Sequence, residues 1–116
     1  MIYYMKLNSE PFNMIKSGQK TIELRLNDEK RKNIKIGDII EFTDCRALDK
    51  RILTKVINIH KFNTFDELYK NLPLDKCGYL KEDIDTASPL DMEKYYSVEK
   101  QSKYGVLGIE LEVLAY

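Results

Sequence analysis

The segment Gly18-Gln19-Lys20-Thr21-Ile22-Glu23-Leu24-Arg25 holds the densest set of chemically capable groups in the chain. A lysine precedes a carboxylate and a guanidinium at strand spacing, and a period of two sets Glu23 beside Arg25 on one face. Arg25 offers a planar fork for phosphate or carbonyl, Lys20 a mobile ammonium, and Glu23 an acceptor for an exocyclic amine. Those partners suit a nucleobase or a nucleotide. A lysine beside a carboxylate also serves proton transfer where burial lowers its pKa. The bland alternative is an exposed ion pair on a solvated strand, worth under about 1 kcal/mol and chemically idle. Spacing alone leaves both open.

Other candidates are more dispersed. Tyr95, Tyr96 and Tyr104 offer stacking faces for bases, or serve as amphipathic lids on the core with their hydroxyls in water. Ser97 is either a helix cap or a hydroxyl projecting into a cleft. His60 has no serine or cysteine near it in sequence and is read as a surface residue. Lys30-Arg31-Lys32 with Lys35 either extends a phosphate-contacting patch or forms a solvated face. Cys45 and Cys77 are too far apart for a Cys-x-x-Cys ligand pair, and His60 is the only histidine. No metal site and no cofactor are expected. Both thiols are read as free, small and half-buried, in a reducing compartment.

These groups must be positioned by short elements. Ile2–Leu7 is read as a strand, and Asn8-Ser9-Glu10-Pro11 starts a helix with Phe12 and Ile15 on its apolar face, closed by Gly18. From Lys20 to Leu26 the alternation is strict: Ile22, Leu24 and Leu26 face the core while Thr21, Glu23 and Arg25 face water or a site. Asn27–Lys32 fits one helical turn with acids before bases. Ile39–Thr43 and Ile52–Phe62 read as antiparallel strands joined by a polar turn at Asp44–Asp49. Thr64-Phe65-Asp66-Glu67 has the form of a capping box for a helix carrying Phe65, Leu68, Tyr69 and Leu72 on one face. Leu74–Thr86 reads as irregular with one helical turn. Ser88-Pro89 opens another helix, Ser97 a short turn closed by Gly105, and Val106–Leu114 a final strand with one buried face. Five mostly antiparallel strands with helices between them make an α+β pattern, and curling into a small barrel hides the edges of so short a sheet.

Composition sets the limits. A chain of 116 residues, 43% hydrophobic and 33% charged with three prolines and five glycines, is expected to fold as one globular domain over residues 1–116. Nineteen basic residues balance nineteen acidic ones. Such a chain lacks the field for a long phosphate-tracking groove, so any polyanion must be met by a local patch. The N-terminus has no basic stretch followed by a long apolar core, and no segment is apolar enough to cross a membrane as a helix. A cytoplasmic protein without membrane contact is expected.

The pattern Pro-Phe-x-x-Ile-x-x-Gly-x-Lys-Thr-Ile-Glu-Leu-Arg, followed by Ile-x-x-Gly-Asp-x-Ile-x-Phe, resembles the ASCH domain family of the PUA-like superfamily. Pro11, Phe12, Ile15, Gly18, Lys20, Glu23, Arg25, Gly37, Asp38 and Phe42 carry it. Tyr95-Tyr96-Ser97 and Tyr104-Gly105-Val106-Leu107-Gly108-Ile109 resemble its closing helix and strand. The resemblance implies a small PUA-like β-barrel with short flanking helices and a cleft on the Gly-x-Lys-x-x-Glu-x-Arg strand. It implies an RNA or nucleotide-like ligand, met by Lys20, Thr21, Glu23, Arg25, Tyr96, Ser97 and Tyr104. One branch of the superfamily hydrolyses the amide of N4-acetylcytidine with a lysine, a threonine and a glutamate, which makes a small amidohydrolase the alternative expectation. Lys20 matches that lysine and Glu23 stands where the threonine would be, serving as proton carrier or orienting group. The glutamate has no clear counterpart after Leu72. A protein partner for the cleft also remains open.

Overall fold

The computed structural model describes residues 1–116. Five strands carry the fold: β1 (Ile2–Leu7), β2 (Ile22–Leu26), β3 (Ile39–Asp44), β4 (Ala47–Phe62) and β5 (Val106–Ala115). They form one sheet in the order β1-β3-β4-β5-β2, in which β1 runs parallel to β3 and the remaining neighbours are antiparallel. β4 is the backbone of the sheet. Its first half pairs with β3 and its second half with β5, with the overlap at Leu53–Lys55. Register shifts at Thr43/Asp44, Leu53/Thr54 and Val56/Asn58 add twist, and the sheet curls into a half-barrel. Its two edge strands, β1 and β2, face each other across an open seam.

Three α-helices flank the sheet: α1 (Ser9–Ser17), α2 (Phe65–Asn71) and α3 (Val98–Tyr104). Gly18, at φ 85°, ends α1 in the left-handed conformation that only glycine adopts without strain. Phe12 and Ile15 turn inward from α1, as their spacing predicts. Thr64 caps α2 by accepting from the Glu67 amide, and Ser97 caps α3 by accepting from the Lys100 amide. Ser97 therefore takes the first of its two readings.

Two cores result. The larger lies inside the curl of the sheet and includes Met5, Phe12, Ile15, Ile40, Phe42, Ile52, Val56 and Ile109. The smaller joins Ile22, Leu24 and Leu26 to Phe65, Leu68, Cys77 and Val106 beneath the helical cap. β2 gives its apolar side chains to the smaller core alone.

Several local expectations are corrected. Asn27–Lys32 is a series of turns, tied by Arg31–Asp28 and Lys32–Glu29 ion pairs three residues apart, which give two of the run's basic residues partners within the protein. The β3–β4 turn is only Cys45-Arg46, because Asp44 pairs with Ala47 and its carboxylate accepts from the Arg46 amide. Leu74–Thr86 contains two 3₁₀ turns, Leu74–Lys76 and Lys81–Thr86. The segment opened by Ser88 is a 3₁₀ turn, Pro89–Met92, with a full capping box. His60 is half-buried and bonded to Glu110 on the neighbouring strand. Cys77 is buried and Cys45 exposed, so neither is half-buried as expected.

Candidate functional site

Lys20 and Thr21 precede β2, whose first residue is Ile22. The Lys20 amide donates to the Met14 carbonyl at the end of α1, and the Thr21 amide to the Lys76 carbonyl in the cap. This anchorage turns the Lys20 side chain inward. Its ammonium meets Glu23 Oε1 at 2.7 Å, while Arg25 meets Glu23 Oε2 through Nη2 at 2.8 Å and Nε at 2.9 Å. One carboxylate is therefore shared by two cations. Glu23 is 3% exposed and Lys20 9%, which overturns the reading of a solvated pair on a wet strand face. The alternation in β2 is real, but both of its faces are covered.

Burial alone would raise the Glu23 carboxyl, but Lys20 and Arg25 outweigh it and hold the group below the ordinary carboxylate range. Burial likewise works against the Arg25 charge and Glu23 beside it prevails, with the Tyr96 phenol acting in the same sense. Glu23 and Arg25 are thus each held in the charged form. Two cations against one anion leave one positive charge in excess at a site largely removed from water.

The trio forms the floor of a cleft of about 510 Å³ that occupies the open seam of the half-barrel. Lys6 and Leu7 of β1, together with Pro11 and Met14 of α1, line one side. Tyr69, Tyr79, Asp91, Met92, Tyr95 and Tyr96 line the side formed by the cap. Across the seam, Arg25 donates to the Lys6 carbonyl at 3.2 Å. Behind Lys20 the chain passes at Gly78, φ 108°, where a Cβ would meet the Lys20 Cδ at 3.4 Å. Cys77 lies in the same wall, its thiol pushed up to about 12 by burial.

Of the residues singled out by sequence, the cleft brings together Lys20, Glu23, Arg25, Tyr95 and Tyr96. Tyr96 stacks on Phe65 with ring centroids 6.1 Å apart, so one of its faces belongs to the core. Tyr95 is 58% exposed and has Lys94 at 5.1 Å from its ring. Thr21 and Ser97 are not among the lining residues, and Tyr104 lines a separate polar hollow with Asn27, Lys61 and Lys103. Sequence reading missed the chain Tyr69–Tyr79–Asp91, in which the two phenols lie 2.6 Å apart and Tyr79 donates to Asp91 Oδ2 at 2.8 Å. Burial first, then these two hydrogen bonds, raise the Tyr79 phenol well above its ordinary value. By spacing Tyr69 belongs to a helix face, and Asp91 lies just after the Ser88-Pro89 helix start, and nothing local in either signal points to a cleft. Nowhere do three or more His, Cys, Asp or Glu side chains converge in a way that would hold a metal ion. No helix is long and apolar enough to cross a membrane.

The ASCH domain model matches residues 5–115. The chain belongs to the ASCH domain family. Among solved structures it is similar to the crystal structure of a hypothetical protein, PH0355, at 33% identity and a TM-score of 0.78, covering 98% of this chain and 100% of that one. It is similar to the solution structure of protein PF0455 from Pyrococcus furiosus at 34% identity and a TM-score of 0.75, covering all of both chains. It also shares its fold with ASCH from Zymomonas mobilis, at 14% identity and a TM-score of 0.65, covering 96% of this chain and 66% of that one. No curated protein matches the chain. In this ASCH domain the Gly-x-Lys-x-x-Glu-x-Arg segment runs from the end of α1 into the seam strand β2, with its charged groups at the cleft floor.

Proposed function

We propose that this ASCH domain binds RNA or a nucleotide-like ligand in the seam cleft, with an anionic group of the ligand at Lys20 and Arg25. The observation that carries the reading is the shared Glu23 carboxylate. It fixes both cations in place by hydrogen bonds, yet neutralises only one of them. A cation held rigidly in a partly desolvated cleft attracts an anion more strongly than a mobile surface lysine does. The cleft volume of about 510 Å³ falls within the range of small-ligand sites. Tyr95 offers a free ring face for a base beside it. Zero net charge leaves only local patches to attract an anion, which favours a short ligand segment over an extended strand.

The amidohydrolase alternative receives less support. The lining includes no serine or threonine, and Glu23, which stands at the threonine position, is an ion-paired carboxylate whose low pKa suits neither a proton donor nor a strong base. Glu23 is better suited to orient Lys20 and Arg25 than to accept a proton or a ligand amine.

The test is fluorescence anisotropy with short single-stranded RNA on the wild type and on Lys20→Gln, a variant that leaves Glu23 paired with Arg25. Saturable binding that weakens by about tenfold in the variant is expected, with a salt slope between about −1.4 and −2.1 for two or three phosphate contacts. Equal binding by both proteins would contradict it, and acetate released from N4-acetylcytidine in a parallel sample would turn it toward hydrolysis.

A further inference from the structure

The ligand cleft has a positive floor, but its cap wall holds an acceptor of a different kind. Glu23 has both oxygens engaged by Lys20 and Arg25 and is almost wholly buried, so it is not available to a ligand. Two other carboxylates line the cleft, Glu10 and Asp91. Glu10 sits in the first turn of α1, where an acid complements the helix dipole, and no hydrogen bond or ion pair fixes it. Asp91 is fixed twice through one oxygen: Oδ2 accepts from Tyr79 at 2.8 Å and from the Ser88 amide at 3.2 Å. Tyr79 is in turn held by Tyr69 at 2.6 Å. These bonds orient the carboxylate and leave Oδ1 without a protein partner, on a residue that is exposed at the cleft.

Resting on the reading that the Lys20–Arg25 floor takes the anionic group, we propose that Asp91 is a specificity-determining residue that accepts a hydrogen bond from the exocyclic amine of the ligand's base. An oriented carboxylate with one free oxygen is a pure acceptor. It favours adenine and cytosine, which carry an amine, and disfavours hypoxanthine and uracil, which present a carbonyl oxygen at the equivalent position. Selectivity of this kind arises as much from the unpaired polar groups in the wrong complex as from the bond in the right one. Tyr79 is a positioning residue: it holds Asp91 without touching the base.

The experiment measures Kd by NMR titration of the full chain with four nucleoside monophosphates, AMP against IMP and CMP against UMP, and with ribose 5-phosphate. On the wild type, AMP and CMP bind about tenfold tighter than IMP and UMP. In Asp91→Asn, whose amide presents a donor as well as an acceptor, each ratio falls to within about twofold. In Tyr79→Phe the ratios shrink part-way, because Asp91 loses one of its two holds. Equal affinity within both pairs on the wild type, which needs no variant to fold, overturns the proposal, as does a preference that survives intact in Asp91→Asn. Ribose 5-phosphate separates the two readings. If it shifts Lys20 and Arg25 while the pairs fail to discriminate, only the role of Asp91 falls. If neither it nor any nucleotide shifts the cleft, the phosphate reading falls and the Asp91 proposal falls with it.

Discussion

Arg25 on β2 donates to the main-chain carbonyl of Lys6 on β1 at 3.2 Å, and so spans the seam between the two edge strands of the half-barrel. Edge strands expose unpaired backbone groups, and a protein must close, cover or charge them. Here the edges are left apart and a charged side chain crosses the gap. The same guanidinium is oriented by Glu23, so the group that ties the seam is also the group that presents positive charge to the cleft. In Arg25→Lys the fork is lost, and one ammonium cannot replace the two donors on Glu23 Oε2 and reach Lys6 as well. We expect about a tenfold loss in affinity for single-stranded RNA by anisotropy, together with chemical-shift changes at Lys6 and Leu7 in the free protein.

Removing the shared carboxylate costs stability. Glu23→Gln leaves two buried cations with no anion between them, and the expected loss is about 3 kcal/mol or more in denaturant unfolding. Lys20→Met serves as the control. It leaves the Glu23–Arg25 pair intact, and its loss should be clearly smaller. Equal losses would mean that the sharing of Glu23 does not matter.

The pH dependence follows from the direction of the Glu23 shift. The folded-state value lies below the ordinary 4.5, so the contribution of this carboxylate is fully present above about 4.5 and is lost as pH falls through the lowered folded value. Thermal melts from pH 7 downward should therefore show a flat region and then a fall on the acid side. In Glu23→Gln that acid limb should be shallower.

The main elements of the fold were legible because their signals are local. The Gly18 stop, the cap at Thr64 and the strict alternation from Ile22 to Leu26 each depend on residues a few positions apart. The charged trio was visible for the same reason. Its burial was not, since the cover comes from Cys77, Gly78 and Tyr96, more than fifty positions away in the chain. Tyr79 and Asp91 were missed because a tyrosine in an irregular stretch and an aspartate in a capping box carry no mark of what they will face. Thr21, which alternation puts on the face of Glu23, precedes β2, has its backbone tied to Lys76 and Leu111, and is not among the residues lining the cleft.

The two cysteines should report on the cleft. Cys45 is exposed at its rim, whereas Cys77 is buried with its thiol pushed up to about 12, so it carries almost no thiolate at neutral pH. A chromogenic disulfide should modify one thiol quickly and the other only on unfolding, and Cys45→Ser should abolish the fast phase. Bound RNA should slow that phase by covering the rim.

Gly78 should resist substitution. At φ 108° an added Cβ is strained by about 1 kcal/mol or more, and its nearest neighbour would be the Lys20 side chain at 3.4 Å. Gly78→Ala should lower the unfolding midpoint and displace the Lys20 resonances, and it should weaken RNA binding more than an equally destabilising change in the larger core, such as Ile52→Val.

We propose above all that the surplus charge of the Lys20–Glu23–Arg25 trio anchors an anion in the seam. The most direct test is a chemical-shift titration of isotope-labelled protein with mixed-sequence single-stranded RNA at low and moderate salt. Saturable shifts centred on Lys20, Glu23, Arg25, Tyr95 and Tyr96 that weaken as salt rises are expected. Shifts confined to other surfaces, or none at either salt, would contradict it.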